Sequence, residues 1–307
     1  MEFISDFFAT VLRWVFSLVQ NYSVAIIIVT VAIRVLILPL DLKQKKSSRK
    51  MALIQPKIDS LKKRYSNNPQ MLQKKQQELF KKEGVKPLAG CLPMLLTLPI
   101  FFAFFAAMRV LAAEQTVSFM LNAQNLGESA YSLPSWLWVH NFWQPDSGFS
   151  SILPSAVEFT NFVQSNAQHI SPQSLHMLNM ANLVDFNPIQ NALQQGAAYS
   201  GFAESIITSN DLVGFNNGWF ILPILAGVSL FVQTKLTASQ TGAAGQGKFM
   251  LWFFPIFSVY ICAISNTAFA IYWLFANLYA LAQTLIVNLI YKKRDEKKRQ
   301  GIIEEAT

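Results

Sequence analysis

Residues 24–40 read VAIIIVTVAIRVLILPL. One ionisable side chain, Arg34, interrupts this otherwise apolar row. Extended back to Tyr22, the stretch approaches the roughly 20 apolar residues that an α-helix needs to cross a bilayer. The rest of the chain has the same character. Of its 307 residues 52% are hydrophobic and 14% charged, and the mean hydropathy is +0.30; soluble domains carry about 25% charged residues. The expected class is an all-α polytopic membrane protein.

Four further spans are read by the same criterion: residues 88–112, 218–236, 249–264 and 268–290, making five with 22–40. Pro93 and Pro99 lie in the second span, where neighbouring helices can satisfy freed backbone groups. Spans four and five are read as a hairpin turning at residues 265–267.

Lysine and arginine set the orientation, because they are retained on the cytoplasmic side. Residues 41–88 hold 14 Lys/Arg and 4 Asp/Glu, whereas residues 113–217 hold no Lys or Arg and 7 Asp/Glu. With Lys235, Lys248 and six basic residues in the tail 291–307, 22 of the 25 basic side chains fall on one face. The expectation is an N-terminus outside and a C-terminus inside. The net charge of +8 conceals this polarity.

In the segment 1–21, residues 2–20 place Phe3, Phe7, Val11, Trp14 or Val15, and Leu18 on one helical stripe and Ser5, Asp6, Thr10, Arg13 and Ser17 on another. That pattern is expected to lie in the outer interface; Glu2 and Asp6, with no basic residue before the apolar run, argue against a cleaved leader. Residues 41–87 read as a basic helical hairpin. Met51, Leu53, Ile54, Ile58, Leu61 and Tyr65 recur at helical spacing, Asn67-Asn68-Pro69 breaks the run, and Met71, Leu72, Leu79 and Phe80 resume it. Its basic face suits anionic lipid or ribosomal RNA.

Several motifs fail on inspection. Gly242-Ala-Ala-Gly-Gln-Gly-Lys248 imitates a phosphate-binding loop, but Phe249 stands where a magnesium-binding Ser or Thr is required, and no strand precedes it. His140, His169 and His176 form no metal-ligand spacing, and Cys91 and Cys262 fall on opposite membrane faces. No catalytic constellation, metal site or cofactor is expected.

Arg34 stands apart. Charge in a span costs on the order of 2.5–3.5 kcal/mol by insertion scales, and such residues face a bundle interior or a wet cavity. The five spans as drawn hold no acidic counter-ion; Thr30, Thr97 and Gln233 are the polar residues expected to solvate it.

The Arg34 span ending Leu38-Pro39-Leu40, then Lys50-Met51, Gln55-Pro56-Lys57 and the block from Leu79 through Gly90-Cys91-Leu92-Pro93, closely resembles the YidC/Oxa family of membrane protein insertases. Ile221–Val228 with Gln233, and Ile271-Tyr272-Trp273 with Asn277 and Gln283, look like the family's third and fifth spans, and 138–142 like its outer-loop segment. The resemblance is to members without a large folded outer domain.

It implies five helices around a hydrophilic groove open to the cytoplasm, with Arg34, Gln233, Trp273, Thr97 and Thr30 lining it, and a mobile basic hairpin that receives substrates. It further implies an insertase and chaperone of the bacterial cytoplasmic membrane. Its expected partners are nascent membrane proteins, lipids, the ribosome and a Sec translocon. Thr97 replaces the family's glutamine, and Asn266-Thr267-Ala268 replaces its usual opening of span five. The insert at 149–217 is expected to form short interfacial helices. A small-anion transporter or channel is the other class that Arg34 admits; the absence of visible repeats counts against it.

Overall fold

The computed structural model describes the backbone of residues 2–84, 92–184, 192–241 and 248–306, and the side chains of 3–84, 98–184, 198–237 and 251–294. The loop 242–247, Cys91 and the Leu88–Gly90 entry to span two lie outside the described residues. All regular elements among the described residues are helical: α1 (Glu2–Val19), α2 (Tyr22–Arg64), α3 (Pro69–Lys82), α4 (Leu92–Leu126), α5 (Ala156–Ser165), α6 (Pro172–Met180), α7 (Ala192–Ser209), α8 (Ile221–Thr241), α9 (Lys248–Ile264) and α10 (Thr267–Ala306), with two short 3₁₀ turns. Three helices, within α2, α4 and α10, are long and apolar enough to cross a membrane; α8 and α9 supply shorter apolar segments. Their outward faces carry exposed apolar side chains, among them Leu36, Val228, Ile256 and Ile286. In water this pattern would be costly, at about 25 cal/mol per Å².

The chain forms two compact units: Met1–Val29 with Ile100–Leu225 and Val259–Trp273, and Thr30–Pro99 with Ala226–Ser258 and Leu274–Thr307.

In the first unit α1 ends where Gln20 takes a positive φ of 52°, and the Asn21 side chain accepts from the Val24 N–H to open α2. Helix α1 buries Ser5, Phe8, Ala9, Leu12 and Val15, and leaves Phe3, Phe7, Trp14 and Leu18 exposed. Phe8 packs on Phe104, and Arg13 forms a salt bridge with Glu114 of α4.

The sequence places the end of the second span near Ala112, but α4 runs on to Leu126. Its extension is the platform for a helical cap. Val117, Met120 and Leu121 of α4 share a core with Phe159 and Val163 of α5, Leu178 of α6, and Tyr199 and Ile206 of α7. The insert forms short helices, and these pack into one core on α4. The Ser155–Glu158 capping box opens α5, and Tyr199 stacks on Phe159 at 5.0 Å while its hydroxyl donates to the Pro154 carbonyl. Burial, and then the nearby Glu158 charge, pushes the Tyr199 phenol well above its usual pKa.

A polar knot ties the segment 138–150 to the start of α8. The fully buried Asp146 carboxylate accepts from the N–H groups of Trp219, Phe220 and Leu222 and from the Trp138 indole. An anion is favoured there, because the first turn of a helix leaves N–H groups unpaired. Asn141 and Asn217 bond reciprocally: the Asn141 N–H donates to Asn217 Oδ1, and Asn217 Nδ2 donates to the Asn141 carbonyl.

In the second unit α2 does not stop at Leu40. It continues unbroken through Pro39 and Pro56 to Arg64, so the first arm of the basic hairpin extends the Arg34 helix. Asn68 caps α3 by accepting from the Met71 N–H, and Ile54 and Ile58 pack against Leu79 and Phe80 to close the hairpin. Lys57 adds an ion pair to Glu83.

Candidate functional site

The polar side chains of the second unit gather on three helices. On α2, Arg34, Asp41 and Lys45 follow one another at intervals of seven and four residues, which keeps them on one helical face. Thr30, one turn before Arg34, is buried. On α10, Asn277, Thr284 and Tyr291 repeat every seven residues, with Gln283 beside them. Helix α8 brings Gln233.

Three contacts join α2 to α10. Asp41 lies beside Gln283. Lys45 Nζ donates to Thr284 Oγ1 at 2.6 Å, and the Arg49 guanidinium sits 4.2 Å above the Tyr291 ring. Residue numbers rise together along both helices, so the two run parallel and nearly in register. Asn277 Nδ2 reaches the Ala226 carbonyl of α8 at 3.5 Å, at the outer limit of a hydrogen bond.

Electrostatics distinguishes this cluster from an ordinary packed interface. Arg34 is half-buried and makes no salt bridge among the described residues; the opposite charge it feels is Asp41. Asp41 in turn feels Arg34 and Lys45. The Gln283 carboxamide approaches the Asp41 carboxylate, yet its Nε2 is buried without a hydrogen bond of acceptable geometry. Gln233 Oε1 is buried and unpartnered as well. Both atoms lie in the second unit, and buried polar groups left without a partner cost about 1–3 kcal/mol.

Of the five residues singled out from sequence, Arg34, Thr30 and Gln233 belong to this unit. Trp273 belongs to the first unit, where it packs on Phe101 at 4.9 Å and Phe269 at 6.0 Å. Thr97 lies in helix α4, but its side chain is outside the described residues. Sequence reading missed the charged partners. Asp41 falls just after the span read as 22–40, although its seven-residue spacing from Arg34 is visible in the sequence. No group of three metal-ligating side chains occurs among the described residues.

The family model described as 60Kd inner membrane protein matches residues 14–193 and 189–295. Among curated relatives, the membrane protein insertase MisCA of Bacillus subtilis (strain 168) is 29% identical over 288 residues, covering 92% of this chain and 76% of that one. A membrane protein insertase YidC of Clostridium perfringens (strain 13 / Type A) is 35% identical over 179 residues, 55% of this chain and 66% of that one. The YidC of Granulibacter bethesdensis is 28% identical over 287 residues; the match covers 93% of this chain but 38% of that protein.

Proposed function

The chain belongs to the 60Kd inner membrane protein family, and we propose that it is a membrane protein insertase of the bacterial cytoplasmic membrane, acting on nascent membrane proteins. The observation that carries this reading is the Arg34 cluster: a half-buried cation in an apolar helix, with the orphaned Gln233 Oε1 and Gln283 Nε2 in the same unit.

The proposed mechanism is physical. A polar tail entering hydrocarbon without partners loses several kcal/mol per unsatisfied group. Hydrogen-bonding groups held beneath the surface reduce that cost, and Arg34 favours acidic tails. Once the following apolar segment reaches lipid, its own burial, about 25 cal/mol per Å², drives completion. No nucleotide enters this account.

Five spans around a cytoplasm-open groove fit the same reading. The parallel course of α2 and α10 supports an odd number of crossings, because successive spans alternate in direction. The shorter apolar helices α8 and α9 complete the set with α4. The outward N-terminus, the substrate-receiving role of the basic hairpin, and contacts of the hairpin and tail with ribosomes or a Sec translocon rest on the charge asymmetry and on the resemblance. By the resemblance, Arg34, Thr30 and Gln233 of the second unit would line the groove. The family membership gives the small-anion transporter no support.

Reconstitution tests the reading. Replacing Arg34 with Ala should reduce insertion of substrates with acidic translocated tails. Undiminished insertion would remove Arg34 from the mechanism, and selective anion uptake into the same vesicles would restore the transporter.

A further inference from the structure

We infer that Asp41 is a built-in competitor for Arg34, a carboxylate that occupies the cation's field at rest and sets how acidic a tail must be to engage it. The inference rests on the proposed role of Arg34 and goes beyond it, naming a residue that controls substrate selectivity.

Asp41 follows Arg34 by seven residues on one uninterrupted helix, a rise of about 10 Å and nearly two full turns. Both side chains therefore project from the same face, and both are half-buried. Arg34 and Lys45 are the cations that act on the Asp41 carboxylate. Lys45 also donates to Thr284 Oγ1, so its ammonium is shared between Asp41 and α10. Asp41 forms no salt bridge among the described residues, and the Gln283 amide beside it leaves Nε2 unsatisfied. The result is a carboxylate held beside Gln283, on the same helical face as Arg34 and in no salt bridge among the described residues. Partial desolvation strengthens its action on Arg34 compared with two charges in water.

A substrate carboxylate approaching Arg34 meets a cation whose potential is already partly cancelled, and it is also repelled by Asp41. Both effects weaken a single acidic residue more than a run of them. A neutral tail is untouched by either. Asp41 thereby makes insertion respond to tail charge as a threshold rather than admitting every polar tail alike.

The test uses the full chain in proteoliposomes and two model substrates identical except that one carries Asp and the other Asn in the translocated tail. Protease protection of the tail gives an insertion yield for each, and the readout is the acidic-to-neutral ratio. In Asp41→Asn that ratio should rise roughly twofold to tenfold, the range Coulomb's law gives for unit charges about 10 Å apart at a protein–water boundary. Asp41→Thr, which removes the charge with a different shape, should raise it as well. In Arg34→Ala/Asp41→Asn the rise should vanish. An unchanged ratio in both single variants, with Arg34→Ala lowering it, would overturn the inference while leaving the groove reading intact. If Arg34→Ala alone leaves the ratio unchanged, the role assigned to Arg34 itself fails. A rise of equal size with Arg34 absent would show that Asp41 repels tails directly and does not compete for the arginine.

Discussion

Asp146 and Gly218 are packed so closely that a β-carbon on Gly218 would lie 2.1 Å from Asp146 Oδ1 and 3.1 Å from both Cγ and Cα of that residue. The glycine is thus a requirement of the buried carboxylate, whose oxygens must come within hydrogen-bond reach of the first N–H groups of α8. Gly218→Ala is expected to displace the carboxylate and cost about 2–5 kcal/mol, the range for disrupting a buried, fully bonded charge. The buried free thiol of Cys262 provides the assay. In a Cys91→Ser background, a thiol-reactive dye should react at a lower temperature in Gly218→Ala than in the parent, and an unchanged midpoint would refute the close packing.

The same pair predicts strong coupling. Asp146→Ala removes the carboxylate that the new methyl would strike, so Gly218→Ala should cost markedly less in that background than in the parent. Neighbours sharing one network deviate from additivity by about 0.5–3 kcal/mol. Strict additivity of the two midpoint shifts would separate the residues energetically.

The helical cap should behave as a packed domain. Phe159→Ala removes a ring from a closed core and should cost about 3–5 kcal/mol. Tyr199→Phe leaves the buried Pro154 carbonyl without its donor and should cost about 1–2 kcal/mol. Limited proteolysis within 149–217 should accelerate in the order Tyr199→Phe, then Phe159→Ala. Equal, rapid cleavage of the parent would mean that the cap core does not hold.

Much of this architecture was legible in the sequence, and the losses have specific causes. Apolar length located three helices long enough to cross a membrane and two shorter apolar ones, and Asn68-Pro69 marked the hairpin turn, because a polar cap followed by proline fixes a helix start. Hydropathy cannot see where a helix ends when it leaves lipid without breaking. That is why α2 and α4 outran their spans and why Asp41 was left out of the site. The Asp146 knot was illegible for another reason: three of its four donors are backbone N–H groups more than seventy residues away, and nothing in residue identity announces such a pairing. Arg34 was conspicuous because one charge in an apolar row must either face a polar interior or snorkel to the headgroups.

Acid should loosen the cap through Glu158. The Ser155 N–H and hydroxyl both donate to its carboxylate and hold its pKa below the usual value. A carboxylate whose pKa is depressed on folding contributes stability that is present above its unfolded pKa and lost as pH falls through the folded one. Ser155→Ala, which removes the cap at a cost of about 1 kcal/mol, should flatten the response of cap proteolysis below about pH 4.3, the unperturbed glutamate value. An identical acid response in the parent and in Ser155→Ala would take Glu158 out of the effect.

The parallel register of α2 and α10 makes the most consequential prediction about topology. Lys45 meets Thr284 and Arg49 meets Tyr291, so cysteines at 45 and 284, or at 49 and 291, should be joined by a short bis-thiol reagent in native membranes. The pair 34 and 291 should not be joined, since it is displaced by about 22 Å along the helices at 1.5 Å per residue. Two spans that run parallel require an even number of reversals between them. If the in-register pairs react and the displaced pair does not, even-numbered span counts are excluded and the two ends of the chain's membrane region face opposite sides. If the displaced pair reacts as well as the others, the alignment of Asp41 with Gln283 and of Lys45 with Thr284 falls, and the polar cluster assembled from them falls with it.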